Sequence, residues 1–219
     1  MQHITKHTIL AMLLGGACLL AAAAPQELAP PGFVQARQQF QAGAAGDAGA
    51  RDAAASAFQA LAASHPEHPL LAAYEGAAAT LKGRDALLPW NKMKLAESGA
   101  DAIEKALARL TPAHDEALFG GAPESVETRL VAATTLLALP DFMNRRASGL
   151  RALEAALQSP AFGRSPAPVR IRLLALAAKQ AAADKRGADE AAYLRRLADA
   201  APQSQEAAKA AARLKELGL

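Results

Sequence analysis

Cysteine is almost missing from this chain: Cys18 is the only one in 219 residues. One copy therefore cannot build a disulfide framework or a thiolate metal cage. Aromatic residues make up only 4% of the sequence, with one Trp and two Tyr. Strand-rich cores are built on Val, Ile and rings, so this shortage argues against a β architecture. An excess of one charge is also lacking, since 24 Lys and Arg face 21 Asp and Glu. The cations alternate with acids, as in "DKRGADEAAYLRR", rather than forming the basic face of a nucleic-acid binder. The pairs Arg145–Arg146 and Arg195–Arg196 read as solvated helix surfaces, and no nucleic-acid partner is expected. A phosphate-cradling loop is absent too, because "FGGAPES" has no Lys to reach a phosphate.

What is abundant is Ala and Leu. They carry most of a 52% hydrophobic content, and Ala has the best helix propensity. The expected class is all-α, in one domain or one continuous array of helical hairpins. The first segment stands apart. Lys6 precedes an apolar run from Ile9 to Ala24 that is short for a membrane span and suits a secretory signal. Residues 1–23 are expected to be removed between Ala23 and Ala24, giving a periplasmic protein. The alternative is lipidation of Cys18 within "LLGGAC", although Gly15 stands where a lipobox has Leu. Contact with a membrane is expected only in that case. Residues 24–31 are rich in Pro and read as a disordered lead, with the helical domain over 32–219.

Pro and Gly divide the remainder. Windows of 34 residues close on Pro66, Pro160 and Pro202, each reading as helix, turn, helix. The turns fall near Gly46–Asp47, Pro140–Asp141 and Arg186–Gly187, where the Asp after Pro is a good N-cap and the Gly after a basic residue a good C-cap. An enlarged unit predicts a helix over 69–82 ended by Gly83, then a long helix over 88–110. Ile103, Leu107 and Leu110 form one apolar stripe, as do Leu150, Leu153 and Leu157. A last helix is predicted over 204–217. The clearest loop, and the expected site of proteolytic cleavage, is "TPAHDEALFGGAPES".

The 34-residue period resembles that of tetratricopeptide repeats (TPR). Ala54, Phe58 and Pro66 match the second half of that pattern, and Leu194 and Pro202 match it in part, with Glu190 in place of Ala. Ser148 and Ala152 fit it less well. The Trp, Leu-Gly and Tyr of the first half are largely missing, with Ala42 and Ala178 where Gly belongs. The resemblance is to a divergent TPR-like α-solenoid, and it implies an interaction scaffold with a concave binding face.

No nucleophile elbow accompanies the histidines, so a non-catalytic protein needing no cofactor is expected. The expected function is an exported adaptor for a protein or peptide partner of the cell envelope. The alternative is a small-molecule or metal-binding accessory of an envelope transport system, using His65, His68 and His114 or the basic corner of Arg129, Arg145 and Arg146. Against metal, Pro66 and Pro69 break the helical spacing of His65 and His68. Two segments are richer in distinctive residues than the Ala-rich helices around them. In "RDALLPWNKMK", Trp90 either fills a core gap or forms a partner-binding edge with Asn91, Lys92 and Lys94 beside Tyr74. "LPDFMNRR" is either a plain turn or a ligand-facing corner carrying Asp141, Asn144, Arg145 and Arg146.

Overall fold

The computed structural model of the protein describes residues 27–218. Lys6, Cys18 and the Ala23–Ala24 cleavage point lie outside the described residues. The helices are α1 (Phe33–Ala44), α2 (Ala48–Ser64), α3 (Pro69–Asp85), α4 (Pro89–Ala108), α5 (Glu124–Leu136), α6 (Arg146–Gln158), α7 (Ala167–Ala183), α8 (Gly187–Ala200) and α9 (Gln205–Glu216). The class is all-α. The strand content among the described residues is one small hairpin, β1 (Leu118–Phe119) and β2 (Ala122–Pro123), and an isolated bridge from Glu27 to Leu118.

Local chemistry accounts for where the helices begin. Asp47 accepts a hydrogen bond from the Ala50 amide at 2.9 Å, and Ser204 accepts one from Ala207 at 3.0 Å. Pro69 and Pro89 occupy the first turns of α3 and α4, where a missing N–H costs nothing. Two punctuation marks act differently from expectation. Gly83 does not end α3: it lies buried inside the helix, where an added Cβ would come within 3.1 Å of the Lys92 carbonyl on α4. The small residue serves helix contact rather than termination. Likewise Gly187 opens α8, and the left-handed position at the α7–α8 turn falls to Lys185, with φ 57°.

Consecutive helices fold back on each other as α1/α2, α3/α4, α5/α6 and α7/α8, with α9 against α8. The first members of these pairs also touch in series, α1 to α3 to α5 to α7, so they make one layer of a two-layer stack. The closest crossing is α3 with α4. An added Cβ on Gly76 would sit 2.5 Å from the Gly99 carbonyl, and Gly99 meets the Gly76 carbonyl in the same way. Two backbones approach there because neither carries a side chain.

The core has two parts. In the first, Phe58 stacks on Tyr74 with centroids 4.5 Å apart, and Phe33 meets Phe58, Tyr74 and Phe119 edge-on. Leu70, Leu71, Ile103, Leu130 and Leu136 fill the space around these rings. In the second, Leu174, Ala178, Leu194, Leu197 and Ala210 pack α7 to α9 without a fully buried ring.

From Glu27 onward the lead packs against the 111–124 loop. The Leu28 amide donates to the Leu118 carbonyl at 2.7 Å. The Glu27 carboxylate accepts from the Gly120 and Gly121 amides at 2.8 and 2.9 Å. The same contacts hold the 111–124 loop. Its glycines at φ 56° and 79° form a turn that Glu27 caps, and Phe119 is fully buried.

Candidate functional site

The small residues of α3 and α4 leave space on the layer formed by α1, α3, α5 and α7. Into that space opens a groove of about 960 Å³. Ala77 and Leu81 of α3, Ala96 of α4, Phe40 of α1 and Leu139 after α5 line its apolar walls. Met93 and Phe142 line it while remaining exposed, Phe142 at 65%. This volume sits at the upper end of the range for ligand sites, and the mostly apolar lining is the usual composition.

The polar groups of the groove are one-sided. Its ionisable lining residues are Arg84, Lys92 and Arg172, with no carboxylate among them. Arg84 is committed to structure: it pairs with Asp85 at 2.7 Å and donates to the carbonyls of Gly43 and Ala44, tying the end of α3 to the end of α1. The guanidiniums of Arg84 and Arg51 hold the Asp85 carboxyl well below the usual carboxylate range. Lys92 reaches the Arg84 carbonyl at 3.4 Å. Arg172 is exposed and has no ion-pair partner among the described residues.

Behind the groove wall lies a buried polar network. The Tyr74 hydroxyl donates to Glu127 at 2.7 Å, and Arg37 donates to the same carboxylate at 3.3 Å. Glu124 accepts from the Leu70 amide at 3.3 Å and lies 3.4 Å from Nδ1 of His68, whose ring sits edge-on to Phe119. Burial, and after it the Glu127 charge, pushes the Tyr74 phenol well above its ordinary value. Glu124 and Glu127 are only 1% and 3% exposed, so this network fastens α3 and α1 to α5 and presents little to a ligand.

The residues singled out in the sequence do not converge on one site. Tyr74 is 2% exposed and belongs to the core, so it forms no edge with Trp90. Trp90 is 66% exposed, which removes the core-filling alternative. With Lys94 it borders a shallow depression on the far side of Met93 from the groove, and Asn91 is exposed beside it. Arg145 pairs with Asp101 at 2.7 Å and with Glu104, fastening α6 to α4. Arg146 reaches Gln180 and Asp184, both at 2.6 Å, fastening α6 to α7. Arg129 lies half-buried, 3.8 Å from Asp115. The proposed basic corner is therefore largely consumed by packing between helices. Asp141 is exposed at the turn before α6, and Asn144 closes that turn at φ 55°.

His65 and His68 sit with ring centroids 6.4 Å apart, whereas His114 caps its own turn through Thr111. No group of three or more His, Cys, Asp or Glu is placed to hold a metal ion among the described residues. Sequence reasoning missed Phe40, Met93, Phe142 and Arg172. Phe142 carried a usable signal, being a large ring in a Pro-Asp turn that has no core of its own. The other three are ordinary members of amphipathic helices and carried none. Compared with known proteins, the chain matches no family model, no curated protein and no solved structure.

Proposed function

We propose that this chain is an exported, non-catalytic adaptor that holds an apolar, acid-bearing segment of a protein partner in the groove lined by α1, α3, α4 and the end of α5, with Arg172 of α7 at its edge. The observation that carries the reading is the groove's composition: long apolar walls, with Arg172 and Lys92 and no carboxylate in the lining. An apolar segment gains by leaving water, and an acidic residue beside it meets Arg172 without a competing carboxylate. The divergent TPR-like windows and the apolar run of Ile9 to Ala24 support the scaffold and export parts of the proposal. A partner helix laying apolar side chains into such a groove is a recurrent recognition mode.

The test is photo-crosslinking in the envelope, with a benzoyl-phenylalanine in place of exposed Phe142. The expected product is a single partner whose crosslinked peptide is apolar and carries Asp or Glu. Crosslinking should fall about tenfold in Arg172→Glu and in the groove-filling Ala138→Trp, with melting temperatures unchanged. Crosslinking unaffected by either substitution would remove the groove from the binding site.

A further inference from the structure

Six large hydrophobic side chains are exposed among the described residues, and five of them lie on the α3–α4 connection or in the groove beside it. Leu87, Leu88 and Trp90, at 94%, 44% and 66% exposure, crown the α3–α4 connection. Met93 follows one turn into α4, and Phe142 lines the same groove as Met93 and Pro89. Scattered exposed apolar residues are ordinary, but a cluster at the tip of a hairpin marks a surface that something covers.

The charge around the tip identifies what covers it. Lys82, Arg84, Lys92 and Lys94 flank the apolar residues; the acid between them, Asp85, is held by Arg84 and Arg51, and Asp52 of α2, within Coulomb reach of Lys82, is held by Arg51. The next acid along α4, Glu97, lies seven residues beyond Trp90, roughly 10 Å along the helix. A projecting Leu-Leu-Pro-Trp with cations at its base has the order of groups that a lipid surface offers in reverse, with acyl chains inside and anionic headgroups outside. Trp prefers that interface because its ring is apolar and its N–H needs a polar partner. Lysines beside it lie within reach of anionic headgroups.

We propose that the α3–α4 tip docks on an anionic lipid bilayer, with Leu87, Leu88 and Trp90 entering the acyl boundary and Lys82 and Lys94 resting on the headgroups. The tip adjoins the partner groove through Met93 and Phe142, but Leu87, Leu88, Trp90, Lys82 and Lys94 do not line that groove, so substitutions at these five test the tip alone. It also gives the chain a membrane contact that requires no lipid on Cys18.

Trp90 is the only tryptophan in the sequence, so its fluorescence reports the tip directly. The full chain is mixed with vesicles of phosphatidylglycerol and phosphatidylcholine, or of phosphatidylcholine alone, both with acyl-brominated lipid. The expected result is a blue shift and quenching of Trp90 on the anionic vesicles, weakening as salt is raised. Leu87→Ser/Leu88→Ser should cut partitioning about tenfold with an unchanged melt. Lys82→Glu/Lys94→Glu should abolish the preference for anionic lipid. Vesicle binding that leaves Trp90 unquenched assigns the contact to the N-terminal apolar run and overturns the proposal. So does equal quenching on neutral vesicles, or a lipid-independent blue shift that grows with protein concentration, which would mean two copies meeting through their tips.

Discussion

The two ends of the helical stack are held together by different means. From α1 to α5 the chain buries Phe33, Phe58, Tyr74 and Phe119 with the carboxylates of Glu124 and Glu127, whose oxygens take hydrogen bonds from Tyr74, Arg37 and Leu70. From α7 to α9 the core is Leu and Ala, and the buried carboxylate of Glu190 is tied to the half-exposed Arg213 at 2.7 Å. Rings bury large areas and their stacking adds to that, a contribution that the Leu and Ala core of α7 to α9 lacks. The chain thus spends its few aromatics on the region that carries the groove and the docked lead. The C-terminal helices are left as a thinner cap. A rigid N-terminal part gives the groove fixed walls, which a binding site needs more than the distal helices do.

The largest expected effect tests that contrast directly. Tyr74→Ala removes a ring stacked on Phe58 and the shorter of the hydrogen bonds to buried Glu127, leaving that carboxylate to Arg37, and should cost about 3–5 kcal/mol in denaturant unfolding. Leu197→Ala should cost about 2–3 kcal/mol. Its damage should appear as amide exchange confined to α8 and α9, whereas Tyr74→Ala should expose the whole α1–α5 region. Equal, global exchange in both variants would show one cooperative unit and erase the comparison.

Next comes the crossing of α3 and α4. Gly99→Ala places a methyl against the Gly76 carbonyl and the Thr80 side chain, and should cost about 1–3 kcal/mol in a thermal melt. Gly163→Ala, where nothing lies within 4 Å, is the matched control and should be near neutral.

The alkaline limb of the stability curve sharpens the picture further. Since burial raises the folded phenol of Tyr74 above its ordinary value near 10, the unfolded chain ionises first. This contribution is complete below about pH 10. It is lost as pH rises from there toward the folded value, at no more than about 1.4 kcal/mol per pH unit. Tyr74→Phe should start lower by about 1–2 kcal/mol at neutral pH, having lost a hydrogen bond to a charge. It should then show a flatter decline between pH 10 and 11 than the native chain.

The smallest effects lie outside both cores. Lys185→Gly relieves a left-handed residue at the α7–α8 turn and should raise stability by about 1 kcal/mol, the one change here expected to strengthen the thin end. Trp90→Ala should alter the melt by less than about 0.5 kcal/mol, because the ring is mostly in water.

Much of the fold was legible because helix formation is local. Ala-rich composition and Pro69 and Pro89 at first turns are read within a few residues, and α3 and α4 start where these signals put them, whereas Asp141, expected as an N-cap, lies in a short 3-10 turn before α6 begins at Arg146. Errors arose where one residue type serves two ends. Gly83 and Gly187 looked like helix terminators, but a glycine is equally suited to close helix contact or to an N-terminal turn, and sequence does not say which neighbour it meets. Tyr74 and Trp90 were grouped by chemistry and proximity in the chain. One turned inward and the other outward, because the ring-filled space beneath α3 lies on the Tyr74 side and the α4 turn projects away from it. Arg145 and Arg146 looked available and are instead fastened to α4 and α7.

By itself the sequence determined the helical class, the approximate bounds of the helices, the lack of any disulfide within these 219 residues and the even spread of charge along the chain. Each of these follows from local propensity or from composition, which no partner helix can change. The tertiary structure alone decided that Arg172 and Phe142 line one groove, that Glu127 is buried beneath Tyr74, and that Leu87, Leu88 and Trp90 share an exposed tip with four cations around it. Those relations join residues tens of positions apart, or depend on which face of a helix the neighbours leave uncovered. They are fixed only when the side chains of several helices compete for the same enclosed volume.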